Sequence, residues 1–376
     1  MENSFWGIGL HPNVQRGLLL RSLIEPSSIQ SIALPAIVRG ESIVVQDLSG
    51  SGKTTMLAIA VNQIVDTSKG FLQAVLLSPT RELAQQTASL VTEIGSKYVS
   101  LTCAVCHGSS RLKGTEQVWS GTPGRVLAQL SIQRASSLKR IRVLIIDEVD
   151  EMVSAGLIGQ VSRIRQLMPP ECQFVVVSAT ASMIGEDSLS SLLKREVRFI
   201  NAGRGENFWH SRLQQYFIEV SAEKWKLDAV FDIFTRFLLQ SQCIIFANEC
   251  PKAEWLAKKL MIRGFPVQCI HGAMLQRKRD DALRKFRSGD AKILVATDVA
   301  SRGLDVPSVA MVINFDCPLK PNTYVHRIGR CGRFGRNGVA VSLLIDDDRD
   351  DFRRLTRRLR TQVKPLPADR LEINPV

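Results

Sequence analysis

The sequence predicts an α/β fold with two tandem domains, each a mainly parallel β-sheet flanked by helices. The first observation is a series of short runs rich in valine and isoleucine, each ending in a polar cluster. Such runs are typical of strands buried in a parallel sheet. The second is that patterns of helical period separate these runs, which indicates repeated strand–helix–strand units. The third is the length of 376 residues, which favours two domains over one.

The predicted strands are distributed over both halves of the chain. Those of the first half cover residues 42–46, 74–78, 142–147 and 174–178, and those of the second half cover 243–247, 267–270, 292–297, 310–314 and 339–344. Between them, residues 83–94 and 230–238 place apolar side chains at three- and four-residue spacing, which predicts amphipathic helices. In such sheets ligands bind at the carboxyl ends of the strands, where the polar clusters fall.

A segment without periodicity separates the two halves. Residues 201–212, NAGRGENFWHSR, contain two glycines and several polar residues, which is typical of a linker. We therefore predict a first domain over residues 1–200, a linker over 201–212 and a second domain over 213–376.

Composition excludes several classes of protein. Hydrophobic residues make up 45% and charged residues 23% of the chain, which argues against disorder. No stretch of about 18 apolar residues predicts a membrane span, and the N-terminus lacks the pattern of a secretory signal. The net charge is +13, with +3 in residues 1–200 and +10 in 201–376. This surplus favours a polyanionic partner, with solubility alone as the alternative.

Cysteine usage indicates a reducing compartment. The chain has eight cysteines, and only Cys103 and Cys106 form a CxxC pair. A zinc site needs further ligands at similar spacing, so we interpret the run LTCAVC as an ordinary buried strand.

A glycine-rich loop is the first motif that indicates chemistry. Gly50-Ser51-Gly52-Lys53-Thr54 follows the predicted strand IVVQ and precedes a predicted helix. Backbone N–H groups of such a loop bind phosphates, while Lys53 would reach the terminal phosphates and Thr54 would bind Mg²⁺. Asp47 occupies the first position of the full GxxxxGK[ST] pattern, which is therefore not met. The alternative is a plain Gly-Ser turn.

Two further motifs complete a phosphoryl-transfer set. Asp147-Glu148-Val149-Asp150 directly follows a predicted strand; Asp147 could hold Mg²⁺ and Glu148 could orient or deprotonate water. In the second half, the run HRIGRCGR contains Arg330 and Arg333, which could stabilise charge on a transferring phosphoryl group. An exposed basic loop is the alternative for the arginines. Together the motifs imply a site that domain closure completes.

In this order, the motifs resemble those of the DEAD-box RNA helicases of superfamily 2, over nearly the whole chain. The sequences DEVDEM, EKWKLD and YVHRIGRCGRFGRNGVAV are similar to the initiation-factor-4A subgroup. The resemblance implies RecA-like domains, ATP and Mg²⁺, and RNA-stimulated ATP hydrolysis that unwinds or remodels RNA. It also implies single-stranded or structured RNA as partner, protein regulators of the domain cleft, no membrane association, a monomer, and a location in the nucleus or cytoplasm.

The resemblance also assigns individual residues. For ATP binding these are Phe5, Gln30, Ser49, Gly50, Ser51, Gly52, Lys53, Thr54, Thr55, Asp305, Arg330 and Arg333, with Gln30 as the adenine-reading glutamine. For RNA binding they are Pro79, Thr80, Arg81, Gly108, Thr122, Gly124, Arg125, Gln276, Arg279, Thr297 and Arg302. For coupling they are Asp150, Ser178, Thr180 and His326; for catalysis Lys53, Asp147, Glu148, Arg330 and Arg333; and for Mg²⁺, through ATP, Thr54 and Asp147.

Some positions depart from the family pattern. Asp47 would repel a triphosphate unless it is paired or points away, and Leu23 stands where an aromatic residue usually stacks on adenine. Val149 replaces the alanine of DEAD, Ser109 a glycine, and Cys331 a small residue between the arginines. The segment 110–121 is short, so we expect a reduced helix and strand before Thr122.

Two rival functions follow from these departures and from the superfamily. One is an RNA-clamping scaffold with an attenuated or partner-dependent ATPase, and the other is a DNA-directed helicase, which PTRELA and the SAT motif disfavour. The arginine-rich run 349–360 predicts a helix with a solvated face, with RNA contact as the alternative.

Overall fold

The computed structural model describes residues 4–47, 50–97, 101–106, 112–201, 213–237, 241–298, 309–318, 320–331 and 337–367. These residues form two compact units, the first made of residues 4–47 and 51–201 and the second mainly of residues 213–367. Each unit contains a seven-stranded sheet whose paired strands are all parallel. The predicted fold class is therefore confirmed.

The first unit alternates strands with helices. Its strands are β1 (Ile43–Gln46), β2 (Ala74–Leu77), β3 (Cys103–Cys106), β4 (Val118–Gly121), β5 (Val143–Ile146), β6 (Gln173–Ser178) and β7 (Arg198–Asn201), in the sheet order β3-β4-β2-β5-β6-β1-β7. Its helices are α1 (Pro12–Leu20), α2 (Ser28–Val38), α3 (Lys53–Ile64), α4 (Arg81–Ile94), α5 (Pro123–Ser131), α6 (Ala135–Leu138), α7 (Val149–Ser154), α8 (Ile158–Gln166), α9 (Ala181–Ile184) and α10 (Glu186–Leu193).

The second unit follows the same plan. Its strands are β8 (Leu213–Glu219), β9 (Cys243–Phe246), β10 (Val267–Ile270), β11 (Ile293–Ala296), β12 (Met311–Asn314), β13 (Gly338–Leu344) and β14 (Lys364–Pro365), in the order β10-β11-β9-β12-β13-β8-β14. Its helices are α11 (Lys226–Phe237), α12 (Cys250–Ile262), α13 (Gln276–Arg287), α14 (Pro321–Ile328) and α15 (Arg349–Arg358).

The sheet of the first unit is buried on both faces. Successive residues of β1 belong to different cores: Ile43 and Val45 pack in one, Val44 in the other. Because side chains alternate across a strand, a strand covered by helices on both sides must be apolar throughout. This explains why continuous Val/Ile runs, rather than alternating ones, predicted the central strands correctly.

The structure corrects one sequence expectation about the segment before Thr122. Residues 112–117 contain no helix, but β4 is present and its four residues are all buried. The strand pairs with β2 and β3, and Ser120, its polar member, donates a hydrogen bond from Oγ to the Ala84 carbonyl oxygen at 2.9 Å. A buried hydroxyl with such a partner is tolerated in a core.

The CxxC pair lies in a strand, β3, as predicted, but only Cys106 of this strand is buried and Cys103 is half-buried. Burial raises the pKa of both the Cys103 and Cys106 thiols to about 12, so both thiols are protonated at neutral pH. Across the ranges given above, no helix is long and apolar enough to span a membrane.

Candidate functional site

The phosphate loop between β1 and α3 has the geometry that the motif requires. The loop leaves β1 at Gln46 and leads into α3, whose first residue is Lys53. Gly50 has φ 85° and Gly52 has φ 95°. These left-handed values favour glycine, because a Cβ there is strained. A Cβ on Gly52 would also lie 2.7 Å from Gln30 Nε2.

Gln30 braces this loop from α2. Its Nε2 donates to the Gly52 carbonyl oxygen at 3.0 Å, and its Oε1 accepts from the Ser27 N–H at 2.9 Å. Ser27 Oγ donates to the Ser51 carbonyl oxygen at 2.8 Å. Sequence analysis did not assign Ser27, although S-x-x-Q is the signature of a capping box. A side-chain amide has two donor hydrogens and two acceptor lone pairs. Gln30 therefore has one donor and one acceptor position left for hydrogen bonds to the edge of a nucleotide base.

Lys53 lies beneath the loop. Its side chain is 8% exposed, and Nζ donates to the Asp47 carbonyl oxygen at 2.7 Å. Burial lowers the pKa of Lys53, and the negative charges of Asp47 and Asp147 oppose that shift. Asp47 therefore contributes a backbone acceptor to Lys53, and its negative charge is favourable for the Lys53 ammonium group. This attraction offsets part of the repulsion between the Asp47 carboxylate and a bound triphosphate.

Asp147 follows β5 and is 3% exposed. Burial raises the pKa of its carboxyl to about 7; the charge of Glu148 acts in the same direction and that of Lys53 against it. Within the described residues its buried Oδ2 accepts no hydrogen bond. A buried carboxylate oxygen of this kind, with the Thr54 hydroxyl on α3, is the hard oxygen donor set that Mg²⁺ prefers. The residues present therefore fit a nucleotide-bound Mg²⁺.

Glu148 stands at the junction of β5 and α7 in a strained conformation. Its φ is 52° and its ψ is 51°, a left-handed conformation that non-glycine residues rarely adopt. Such strain persists where the surrounding structure determines it, and it is concentrated at functional sites. The neighbouring Val149 is completely buried in the core, so valine is accommodated where the family has alanine.

A buried hydrogen bond links the second motif to the strand beside it. Thr180 Oγ1 donates to Asp150 Oδ2 at 2.7 Å, and the Thr180 N–H donates to Ser178 Oγ at 2.9 Å. Asp150, Ser178 and Thr180 are all buried. The three residues assigned to coupling in the first unit are thus brought into one network behind Asp147 and Glu148.

We expect Thr180→Val to destabilise this region by about 1–3 kcal/mol, because it deprives a buried carboxylate of a hydrogen-bond donor. Native-state hydrogen exchange of the β5 and β6 amides measures the change. Thr180→Ser is the matched control, since it keeps the hydroxyl and loses only the methyl. Equal losses in the two variants would show that methyl packing, not the hydrogen bond, stabilises the network.

The RNA-motif residues of the first unit lie at two neighbouring strand ends. Thr80 precedes α4 and accepts the Leu83 N–H through Oγ1 at 3.3 Å, and Thr122 precedes α5. Because β2 and β4 are paired in parallel, the two helix N-termini lie side by side, and such ends attract phosphate groups. The exposed Arg81, Gly124 and Arg125 and the half-buried Pro79 lie in the same two turns.

The sheet order arranges these groups along one edge. The nucleotide-motif residues follow β1, β6 and β5, and the RNA-motif residues follow β2 and β4. In the order β4-β2-β5-β6-β1 these strands are consecutive, and parallel strands present their carboxyl ends at the same edge. The two sets are therefore adjacent, with Asp147 at the boundary, where its N–H donates to the Leu77 carbonyl oxygen of β2 at 2.9 Å.

In the second unit, a buried arginine connects several strand ends. Arg327 on α14 is 1% exposed. It donates to both carboxylate oxygens of Asp298, at 2.6 and 2.8 Å, to Asn248 Oδ1 at 2.6 Å and to the Asp316 carbonyl oxygen at 2.9 Å. Removing one partner of a buried ion pair generally costs about 3–5 kcal/mol. Arg327, which sequence analysis did not assign, therefore holds Thr297-Asp298 against the helix that carries His326 and leads to Arg330.

The other predicted residues of this unit are placed as follows. His326 and Arg330 are buried. Gln276 begins α13, where its Oε1 accepts from Arg279 and its Nε2 donates to Asp280 at 2.9 Å. The neighbouring strands β10 and β11 bring Gln276 and Thr297 to the same sheet edge.

Several predicted residues are not part of the assembled set. Phe5 is 3% exposed and packs in the core of the first unit, whereas the adjacent Trp6 is 60% exposed. Leu23 packs against the same core. Thr55 is half-buried in the first turn of α3. Ser49, Gly108, Arg302, Asp305 and Arg333 lie outside the described residues.

Comparison with known proteins agrees with this arrangement. Residues 27–187 match the sequence model of the DEAD/DEAH box helicase family, and residues 225–335 match that of the helicase conserved C-terminal domain. The chain is 36% identical to the ATP-dependent RNA helicase FAL1 of Kluyveromyces lactis, covering 99% of this chain and 94% of that protein. It is 37% identical to the ATP-dependent RNA helicase eIF4A of Aspergillus clavatus, covering 98% and 93%.

A solved structure shows the same two-unit architecture. The structure of S. cerevisiae Dbp5 bound to RNA and ADP BeF3 matches with a TM-score of 0.88 and 30% sequence identity, over 98% of this chain and 96% of that one. With the ordered motifs and their common sheet edge, these matches show that the chain belongs to the DEAD-box family of ATP-dependent RNA helicases, in its eIF4A-like group.

Proposed function

We propose that this protein is an RNA-stimulated ATPase that binds single-stranded RNA by its backbone and locally unwinds or remodels RNA or RNA–protein complexes. The observation that carries this proposal is the adjacency of two sets of groups along one sheet edge. Lys53, Asp147 and Thr180 follow neighbouring strands, and the helix N-termini at Thr80 and Thr122 follow the next two.

In the proposed mechanism, the phosphate loop binds ATP. Backbone N–H groups at Gly50 to Thr55 and the N-terminus of α3 contact the phosphates, and Lys53 neutralises their terminal charge. Gln30 stabilises the left-handed turns of the loop, and the remaining hydrogen-bonding positions of its side-chain amide bind the base. Thr54 and Asp147 would hold Mg²⁺, which supplies charge neutralisation to the phosphate oxygens when it is bound.

Glu148 and the arginines of the second unit complete the chemistry. We assign Glu148 the role of orienting the attacking water and accepting its proton. We assign Arg330 and Arg333 to the γ-phosphate, where guanidinium groups match the geometry of phosphate oxygens.

RNA binding is assigned to helix N-termini and side chains that meet the sugar–phosphate backbone. The first unit supplies the ends of α4 and α5, and the second supplies Gln276, Arg279 and Thr297. Contacts of this kind carry little sequence information, so we expect little sequence preference. The Thr180–Asp150 hydrogen bond joins β6 of the nucleotide set to β5, the strand that neighbours the RNA set, and it is the proposed link between the two sets. Coupling of this kind is reciprocal, so ATP and RNA must raise each other's affinity by the same factor.

We also propose that the protein acts as a monomer in the nucleus or cytoplasm, under protein regulators of the domain cleft. The eukaryotic sources of the relatives compared above support the compartment. So do eight free cysteines among the described residues, which are typical of a reducing environment.

Steady-state ATP hydrolysis with and without single-stranded RNA tests this function. We expect RNA to stimulate hydrolysis and to raise ATP affinity by about 5–150-fold, the usual range of coupling between sites. Single-stranded DNA of the same sequence is the matched control, because only RNA offers the 2′-hydroxyl. Equal stimulation by DNA would contradict the RNA assignment.

An RNA-clamping scaffold remains the second candidate, because a carboxylate, Asp47, stands beside Lys53 in the phosphate loop. The same assay separates the two. Absence of hydrolysis, combined with RNA binding that depends on a non-hydrolysable ATP analogue, would support the clamp.

A further inference from the structure

Helix α15 carries an arginine face that none of the motifs above uses. The face consists of Arg353, Arg354, Arg357, Arg358 and Arg360, all exposed. Residues three and four apart in a helix lie on the same side, so Arg353, Arg354, Arg357 and Arg358 form one surface, and Arg360 follows just after the end of the helix. Residues 352–364 contain five arginines and one lysine but no acidic residue.

The C-terminal half of this face is not neutralised. Arg353 forms an ion pair with Asp350 at 3.7 Å, and Arg354 forms one with Asp351. Within the described part of the chain, no ion pair involves Arg357, Arg358 or Arg360. The positive charge is therefore available to a polyanion.

The opposite face of α15 is fixed to the second unit. Phe352, Leu355 and Leu359 are buried. The Phe352 ring lies 5.9 Å from that of Tyr324, whose hydroxyl bonds Gln215 of β8 at 2.9 Å. Because the apolar side is occupied, the helix cannot insert that side into a lipid surface, as interfacial amphipathic helices do.

The end of the helix keeps an arginine where glycine is usual. The Arg360 N–H donates to the Arg357 carbonyl oxygen, and the Thr361 N–H donates to that of Thr356, both at 3.1 Å. This is the Schellman pattern, whose left-handed residue is commonly glycine. Arg360 has φ 49°, so the chain retains a cationic side chain at a strained position.

The arginine face is separate from the RNA-motif residues of the same unit. Gln276 and Arg279 lie on α13, beside the edge strand β10, whereas α15 is anchored through Tyr324 to β8. Five strand spacings separate β10 from β8 in the sheet order, about 24 Å at ~4.8 Å each. At about 3.4 Å per nucleotide of a stacked strand, this distance corresponds to about seven nucleotides, so an RNA shorter than that cannot cover both surfaces.

We propose that the arginine face of α15 is a second RNA-binding surface, which contacts phosphates of RNA that extends beyond the motif residues. The choice of RNA as the polyanion rests on the function proposed above. Guanidinium groups bind phosphate oxygens in a bidentate manner, and no aromatic residue lies on this face, so the contact is independent of sequence. The surface would hold a long substrate near the enzyme.

Binding of labelled oligouridines of two lengths tests this proposal. The variant R357Q/R358Q is compared with K258Q/K259Q, which removes two adjacent exposed charges from α12 of the same unit. We expect R357Q/R358Q to weaken binding of an oligomer of about 30 nucleotides by about 10-fold at low salt, and to lower the slope of log affinity against log salt by about 1.4, or ~0.7 for each phosphate contact. We expect binding of an oligomer of about 5 nucleotides, which is too short to reach both surfaces, to keep the parent affinity.

Three results would overturn the proposal. One is equal weakening by the two double variants, which would reflect net charge alone. The second is that R357Q/R358Q binds the long oligouridine with the parent affinity but binds polyglutamate more weakly than the parent does. That result would identify the arginine face as a surface for acidic proteins. The third is that the parent protein binds no RNA, which would remove the proposed function as well. If instead R357Q/R358Q loses affinity only for the long oligomer, the proposed function remains intact.

The variant R360G separates charge from folding. Glycine relieves the left-handed strain, so we expect the unfolding temperature to stay at or above that of the parent, while affinity for the long oligouridine decreases. An unchanged affinity in R360G would exclude Arg360 from the surface.

Discussion

Replacing Arg330 by alanine is expected to lower RNA-stimulated ATP hydrolysis by about 10³-fold or more. An arginine that stabilises charge on a transferring phosphoryl group contributes about 10³–10⁵ to kcat. ATP binding should change far less, because the developing charge exists only in the transition state. Single-turnover hydrolysis, with nucleotide affinity measured separately, distinguishes the two effects.

The position of Arg330 makes a folding control necessary. It is 6% exposed, and its carbonyl oxygen accepts the Val309 N–H at 3.2 Å. Alanine keeps this backbone hydrogen bond, but truncating a buried side chain generally lowers stability as well. Arg236→Ala, on an exposed position of α11 in the same unit, is the matched control. If Arg330→Ala hydrolyses ATP at the parent rate, the residue is structural only.

The sequence predicted the central strands because burial on both faces leaves a continuous apolar signal. It did not predict the two-residue strand β14, and it expected β4 to be reduced, although the residues VWSG of β4 are all buried. It also did not predict β7 and β8, whose sequences RFIN and LQQYFIE mix polar with apolar residues. Strands β7 and β8 are only partly buried, so the signal of a two-sided core is absent there. Pairing with β1 and β13 determines them, and that information lies elsewhere in the chain.

In the candidate site, too, features that depend on contacts with distant parts of the chain could not be predicted from the local sequence. The motifs were assigned from sequence because parallel strands bring their carboxyl ends to one edge, whatever the loops between them. The consequence of Asp47 could not be predicted, because it depends on the Lys53 Nζ hydrogen bond to its backbone oxygen. The burial of Phe5 likewise depends on tertiary packing. In the run FWGI, Phe5 faces the core and its neighbour Trp6 faces solvent.

Replacing Glu148 by glutamine is expected to lower kcat by about 10²–10⁴, the contribution of general acid–base catalysis, while ATP and RNA still bind. Glutamine keeps the size of the side chain but cannot accept a proton. RNA-stimulated hydrolysis and analogue-dependent RNA binding are measured on the same preparation. Glu186→Gln, an exposed position in the first turn of α10, is the matched control. Parent-like turnover by Glu148→Gln would remove Glu148 from the proposed role.

The backbone of Glu148 provides an independent test of why glutamate occupies this position. Its left-handed conformation costs about 1–3 kcal/mol for a non-glycine residue, and hydrogen bonds from the Glu151 and Met152 N–H groups to its carbonyl oxygen hold it there. Glu148→Gly removes both the carboxylate and the strain. If the carboxylate is retained for catalysis at the expense of stability, Glu148→Gly should be as inactive as Glu148→Gln yet unfold no more readily than the parent. A strongly destabilised glycine variant would instead mean that the glutamate side chain supports the β5–α7 junction itself.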